Sequence, residues 1–370
     1  MIPTGAKIAL CPRGILGGIE AERAVKSGRA LFLAGGPSAF TALDVLWRDG
    51  PGTRRARALT LPEFIDWQQT TGHALQGDLD RQLSRLRDAR PLLHRLKPRY
   101  HIRPLVMGIV NVTPDSFSDG GDHDDPKRAI QHAERLIAEG ADIIDIGGES
   151  TRPGAKAVGI QEECDRVLPV IEGLQASGAP ISIDTRHATV MTNALAAGAR
   201  IVNDVTALAG DPGSMDAVAG TDAPVILMHM QGEPGTMQDN PRYDDVVLDV
   251  LDYLIARIEA CEAAGIPRSR LVIDPGIGFG KTLAHNLDLL ESLAVFHATG
   301  VPVLLGASRK RFISAIDGRS GAADRIGGSL AAALAGAARG AQIIRVHDVR
   351  ETIQALEVNA HIGLANAAVT

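Results

Sequence analysis

The chain has 370 residues, 45% of them hydrophobic, 22% charged and only 3% aromatic, with a formal net charge of −6. This is the balance of a globular protein with a full-sized core. It lacks the basic stripe that nucleic acid would require and any run of roughly 18 apolar residues that could span a membrane.

The first hundred residues read as a small accessory α/β region. KIALCPRG and ALFLAGG have the apolar density of strands. LTLPEFIDWQQTTG reads as a helix capped by Thr60, and DRQLSRLRDARPLLHRL as another. HRLKPRYHIRP (94–104) is basic, carries two prolines and fits a linker. No catalytic constellation falls in this part, so its expected role is structural, packing on the rest of the chain or on a partner subunit. The opening MIPTGAKIALCPRG has too short an apolar run for a signal peptide. Three scattered cysteines, Cys11, Cys164 and Cys261, fit a reducing cytosol better than a disulfide framework or zinc cluster.

From residue 101 to 370 the chain alternates strands with helices. The strand-like runs are LVMGIV (105–110), DIIDIG (142–147), ISID (181–184), RIVNDV (200–205), PVILMHM (224–230), LVID (271–274), VPVLLGAS (301–308) and QIIRVHD (342–348). Runs that are apolar on both faces indicate a buried parallel sheet. Eight such βα units match a TIM (β/α)8 barrel. A doubly wound open sheet fits the same count, because strand order is not visible in one sequence.

Polar residues gather where these strands end: Asn111, Asp145, Asp184, Asn203, Asp204, His229, Asp274, Ser308, Arg345 and His347. A single aspartate after a strand is as often a helix cap as a functional group. In a barrel, however, all strand ends converge on one face, where active sites lie.

Several familiar motifs fail. DPGIGFGKT (274–282) resembles a phosphate loop but has three residues, not four, between Gly276 and Gly280. Lys281 stands where a dinucleotide fingerprint needs glycine. Its glycines are expected to let the backbone approach a flat ligand beside Asp274. No HExxH, paired CxxC, EF-hand loop or G-x-S-x-G elbow occurs. His229 reads as a buried, hydrogen-bonded histidine. Lys310 leaves a Schiff-base role open in principle. What remains is Asp184, Asn203 and Asp274, suited to the edge of a nitrogen heterocycle, and Lys310, Arg345, His347 and Arg152, suited to phosphates.

The strings MGIVNVTPDSFSDGG, IIDIGGESTRPGA, ISIDTR, IVNDVTAL, LMHMQGEPGTMQ, LVIDPGIGFGKT, GASRKRF and IRVHDV, in this order over residues 105 to about 350, resemble the dihydropteroate synthase family. The resemblance implies a TIM-barrel transferase of folate biosynthesis. It joins 6-hydroxymethyl-7,8-dihydropterin pyrophosphate to 4-aminobenzoate and releases pyrophosphate. The resemblance further implies that Asn111 helps to bind Mg²⁺ and that Thr151, Asp184, Asn203, Met228, Asp274, Lys310, Arg345 and His347 bind the pterin pyrophosphate. Phe117, Arg152, Pro153 and Ser308 would form the 4-aminobenzoate site. Asp184, Lys310 and Asp119 are the implied catalytic residues.

The chemistry suits a dissociative substitution. Pyrophosphate leaves readily once neutralised, positive charge on the pterin methylene is delocalised into the ring, and a weakly basic aromatic amine needs no strong general base. Phe117, a ring in the polar loop NVTPDSFSDGG, is expected to meet the aminobenzoate ring when that loop closes. The resemblance also implies a homodimer inhibited by sulfonamides, in the cytoplasm. A methyltetrahydrofolate-type methyltransferase on a related barrel would share the Asp/Asn set but not the TRPG loop or the SRK motif. A non-catalytic paralogue would have lost the strand-tip residues.

Overall fold

The computed structural model describes residues 6–48, 50, 54–91, 103–113, 125–150, 158–233, 235–318, 321 and 323–365. Twelve strands and twelve α-helices are found among them. An N-terminal layer comprises β1 (Ile8–Leu16), α1 (Gly18–Lys26), β2 (Leu31–Phe32), β3 (Ala39–Arg48), β4 (Arg54–Thr60), α2 (Leu61–Gln69) and α3 (His73–Arg87). Its sheet is antiparallel, with β1 along one side of β3 and both β2 and β4 along the other. Thr60 caps α2 in a full capping box with Glu63.

The remaining eight strands are parallel. They are β5 (Leu105–Asn111), β6 (Ile143–Gly147), β7 (Ile181–Asp184), β8 (Ile201–Asp204), β9 (Val225–Met228), β10 (Leu271–Asp274), β11 (Leu304–Leu305) and β12 (Ile343–Val346). Each pairs with its sequence neighbour, and β12 returns to β5. A parallel bridge between Ile273 and Val303 links β10 to the start of β11, so the ring closes as a TIM barrel. Here β11 is much shorter than its apolar run suggests. Gln342 supplies the reason: its side chain accepts from the Val303 N–H at 2.7 Å, and its own N–H donates to the Val303 carbonyl. A side-chain bond thus stands in for a ladder bond at the Val303 N–H.

The helices α4 (Asp125–Ala138), α5 (Ile160–Gly173), α6 (Ala188–Ala197), α7 (Ser214–Ala219), α8 (Val246–Ala263) and α9 (Leu283–Glu291) each follow one strand. Two more, α10 (Arg311–Asp317) and α11 (Ile326–Ala338), follow β11, and α12 (Val349–Leu364) follows β12.

Strand periodicity sorts the residues. Leu105, Met107, Ile143, Ile201, Ile226, Val272, Leu304 and Ile343 form a sealed plug inside the barrel. Their neighbours Val106, Ile144, Val202, Val225, Leu271, Leu305 and Ile344 face the helices. Two positions further along, the inward face turns polar on four strands, at Asp145, Asn203, Asp274 and Arg345, so the plug is the floor of the site.

The N-terminal layer is fastened to this barrel by its own alternation. Ile8, Leu10, Phe40, Leu43 and Val45 pack with α2 and α3, whereas Ala9, Cys11 and Leu46 join the barrel's outer core. Ion pairs border the seam: Arg48 to Asp249 and Asp252, both at 2.7 Å, Arg54 to Asp288 at 2.8 Å, and Arg13 to Glu291 at 3.0 Å. Arg90 donates to the His297 carbonyl at 2.9 Å in the segment leading to β11. No helix among the described residues is long and apolar enough to cross a membrane.

Candidate active site

Inward-facing residues at the strand ends meet in one charged cluster. Arg345, two positions above the plug residue Ile343, is its hub. Its Nε donates to Asp145 Oδ2 at 2.6 Å and its Nη2 to Asp184 Oδ2 at 2.5 Å. Asn203 Nδ2 donates to the same Asp145 oxygen at 3.1 Å. The register sets the depths. Asp184 is level with Gly147, while Asp145 is level with Ser182, one inward-facing layer lower. Gly306 leaves the space between Asp274 and Arg345 open, since a Cβ there would stand 3.6 Å from Asp274 Oδ2 and 3.9 Å from Arg345 Cβ. Met228 lies buried at the tip of β9.

Burial dominates the electrostatics. It pushes the Asp184 carboxyl up, against the pull of Arg345 and with reinforcement from Asp145. It also pushes Asp274 up, opposed chiefly by Lys310. Lys310 is drawn down to about 8 by burial, with Asp274 acting against the change. Burial would lower Arg345 too, yet Asp145 and Asp184 together hold it above its ordinary value. A guanidinium remains charged throughout.

Lys310 reaches back over the loop after β10. Its Nζ donates to the Ile277 carbonyl and lies 4.4 Å from the centroid of the Phe279 ring. The neighbouring Arg309 adopts φ +58°, an uncommon left-handed conformation for a non-glycine residue, and its Nε donates to Asp348 at 2.9 Å. Ser308 and His347 meet across the barrel seam, Ser308 Oγ to His347 Nδ1 at 3.1 Å, and the His347 N–H donates to Ser308 Oγ at 3.2 Å.

The glycines of DPGIGFGKT face a different neighbour from the flat ligand expected of them. Gly276 (φ +70°) and Gly280 (φ +61°) lie so close to the β9–α8 loop that a Cβ would come within 1.9 Å of the His229 carbonyl and 2.5 Å of the Gln231 carbonyl. They let two backbone segments pack, and Gly278 makes room for Lys310. Tyr243 Oη and Gln238 Nε2 then bind the carbonyls of Gly280 and Gly278, at 2.7 and 2.6 Å.

His229 is buried, as its sequence context suggests, and its partner is Lys281: Nζ to Nδ1 is 2.9 Å. Burial and this lysine hold the imidazole down to about 3. Asp204 faces away from the cluster and caps its own loop, accepting from the Thr206 and Leu208 amides at 2.7 and 2.9 Å.

Asn111 sits at the tip of β5 beside Gly147, and its amide makes no hydrogen bond among the described residues. No group of three or more His, Cys, Asp or Glu side chains among those residues could hold a metal on its own. One free amide oxygen suits a hard cation held mostly by substrate phosphates and water. Phe117, Asp119, Thr151, Arg152 and Pro153 lie outside the described residues. The segment carrying the last three is flanked by Glu149, which binds Arg186 at 2.8 and 2.9 Å and accepts from the Val158 N–H at 3.3 Å. Asp145, Phe279, Lys281 and Arg309 join the site's immediate surroundings without having been assigned roles by sequence. Asp145 stands among the polar strand ends in the sequence, and the signal that would have given it a place in the site is its inward parity with the plug residue Ile143.

The pattern of the pterin binding enzyme family matches residues 107–347. Curated relatives include the dihydropteroate synthases of Escherichia coli K12, 51% identical over 256 residues (69% of this chain, 90% of the relative), and Neisseria meningitidis serogroup B, 52% identical over 268 residues (71% and 94%). Among solved structures, the Xanthomonas albilineans dihydropteroate synthase with 4-aminobenzoic acid superposes with a TM-score of 0.67 at 54% identity, covering 70% of this chain and 93% of that one. The same enzyme in complex with 7,8-dihydropteroate gives 0.64 at 50% identity, with 70% and 94% coverage.

Proposed function

The chain belongs to the dihydropteroate synthases of the pterin binding enzyme family, and from that premise we propose how its barrel mouth performs the condensation. The observation that carries the reading is the cluster of Asp145, Asp184 and Asn203 around Arg345, a few positions above an apolar plug. Acceptors and an amide at that depth suit the edge of a pterin, and the guanidinium and Lys310 suit its charge and its pyrophosphate.

In this reading Asp184, Asn203 and Asp274 hydrogen-bond the pterin and Met228 packs on it. Arg345, His347 and Lys310 draw negative charge toward the pyrophosphate end, with Thr151 alongside. Asn111 would hold Mg²⁺ together with the pyrophosphate oxygens, and the metal supplies further charge neutralisation to the leaving group. As the C–O bond to pyrophosphate breaks, the electron pair leaves with the phosphate and positive charge develops on the pterin methylene. The Asp184 carboxylate, fixed before the reaction, stabilises that charge. The amine nitrogen of 4-aminobenzoate, held by Ser308, Phe117, Arg152 and Pro153, forms the new C–N bond and then loses a proton to solvent. Asp119 belongs to the same catalytic set. The enzyme works as a cytoplasmic homodimer, a setting that suits three buried free thiols, Cys11, Cys164 and Cys261.

The test is pyrophosphate release from the purified protein with Mg²⁺ and pterin pyrophosphate, with and without 4-aminobenzoate. Release that rises with the amine, together with dihydropteroate as product, is the expected result. Silence with all components present would overturn the reading.

A further inference from the structure

We propose that Asp145 is a positioning residue for the pterin site: it is the standing counter-ion of Arg345, which leaves Asp184 able to exchange its guanidinium for the ligand. The inference rests on the pterin-binding reading of Asp184, Asn203 and Arg345.

Asp145 is fully buried, one layer below Asp184, so a ligand entering from the mouth meets Asp184 first. Its Oδ2 takes both Arg345 Nε and Asn203 Nδ2, while Arg345 Nη2 is spent on Asp184. Two carboxylates therefore share one guanidinium. A cationic or N–H-bearing ligand that engages Asp184 through Oδ2 must loosen one arm of this arrangement. The cost of loosening is small only if the other arm still neutralises the arginine, because a buried charge without a partner is strongly disfavoured.

Asp145 also fixes the Asn203 amide. A carboxylate can only accept, so the NH₂ group must face it, and Oδ1 remains as the pole offered to a ligand donor. With Asn at position 145 the Asn203 amide still finds an acceptor oxygen, but the charge is lost: Arg345 has Asp184 as its nearest counter-ion and closes on it. The second Asp145 oxygen, Oδ1, is buried and has no hydrogen-bond partner among the described residues, as is true of the Oγ of Ser182 directly opposite on β7. The carboxylate is thus held by the two groups it positions.

The experiment compares the wild type with Asp145→Asn by direct binding of pterin pyrophosphate and by steady-state kinetics. The expected outcome is a rise of about tenfold or more in Kd and KM for pterin pyrophosphate, with the KM for 4-aminobenzoate unchanged. Since Asp145 acts through Arg345, Asp145→Asn/Arg345→Gln should bind no worse than Arg345→Gln. Unchanged pterin affinity in folded Asp145→Asn overturns the inference, and so does a double variant that binds markedly worse than Arg345→Gln. If Asp145→Asn does not fold, the comparison of the double variant with Arg345→Gln decides alone, because there the buried charge leaves together with its partner. A wild type that neither binds pterin pyrophosphate nor releases pyrophosphate would instead defeat the underlying reading.

Discussion

At the seam between the N-terminal layer and the barrel, Arg48 and Arg54 each have aspartates of their own and remain partly in water. At the barrel mouth, Arg345 is divided between Asp145 and Asp184, and Asp145 is fully buried. Both regions use arginine–aspartate pairs at hydrogen-bonding distance. They differ in depth: each seam arginine faces two aspartates at a partly wet surface, whereas the mouth holds Asp184 and Asp274, whose carboxyls burial pushes up. Matched pairs at a partly wet surface attach one part to another. Shared pairs with perturbed carboxyls at a barrel mouth are candidates for exchange with a ligand.

The sharpest way to break this contrast is Asp184→Asn. Removing the carboxylate should slow pterin–pyrophosphate cleavage by roughly 10²–10³-fold while the melting temperature stays near that of the wild type. Near-normal turnover would remove Asp184 from the chemistry.

Next in size is the response to alkali. Lys310 is held down to about 8, so its charge disappears as pH rises through that value. The kcat/KM for pterin pyrophosphate should then fall about tenfold per further pH unit. In Lys310→Arg the limb should vanish, since a guanidinium keeps its proton, and a limb that persists would place the titration elsewhere.

At the seam the effect should be on stability alone. Arg48→Ala/Arg54→Ala should lower unfolding free energy by roughly 1 kcal/mol or less per residue and leave kcat unaltered; chemical denaturation and kinetics measure the two sides. A loss of turnover at unchanged stability would mean that the seam reaches the site.

Acid sensitivity is the effect furthest from the chemistry of the mouth. Burial, with Arg90 nearby, holds His297 down to about 3, from an ordinary 6.5. The unfolded chain binds that proton first, so His297 contributes stability above pH 6.5 that is lost as pH falls toward 3. His297→Gln should flatten this part of the stability curve in urea titrations, and an unchanged slope would assign it to other groups.

The barrel was legible because its strands follow two rules at once: they are apolar on both faces, and they end in polar residues. ISID and LVID match β7 and β10 residue for residue. VPVLLGAS overstated β11, since a side chain, Gln342, took the backbone partner that a ladder would have used. The N-terminal layer was less legible. AFTALDVLWR is buried on both sides, by different partners, and so lacks the simple alternation of a half-exposed strand. RRARALT reads as charged loop although it completes a sheet. In the site, Asp184, Asn203, Asp274 and Arg345 could be picked out as polar strand ends. Lys281 could not, because its importance lies in what covers it: the β9–α8 loop, which contributes His229 and brings Tyr243 near.

The ribbon of β1 and β3 turns one face to its own helices and the other, through Ala9, Cys11 and Leu46, to the barrel. The fastening of Arg48 to Asp252 spans 204 positions of sequence. During synthesis, then, the N-terminal sheet leaves the ribosome long before the helices that cover its second face. Until α8 and α9 follow, that face is an apolar surface exposed to whatever the nascent chain meets. An N-terminal fragment made alone would keep it exposed and should aggregate, so a sheet made early is among the last parts to be completed.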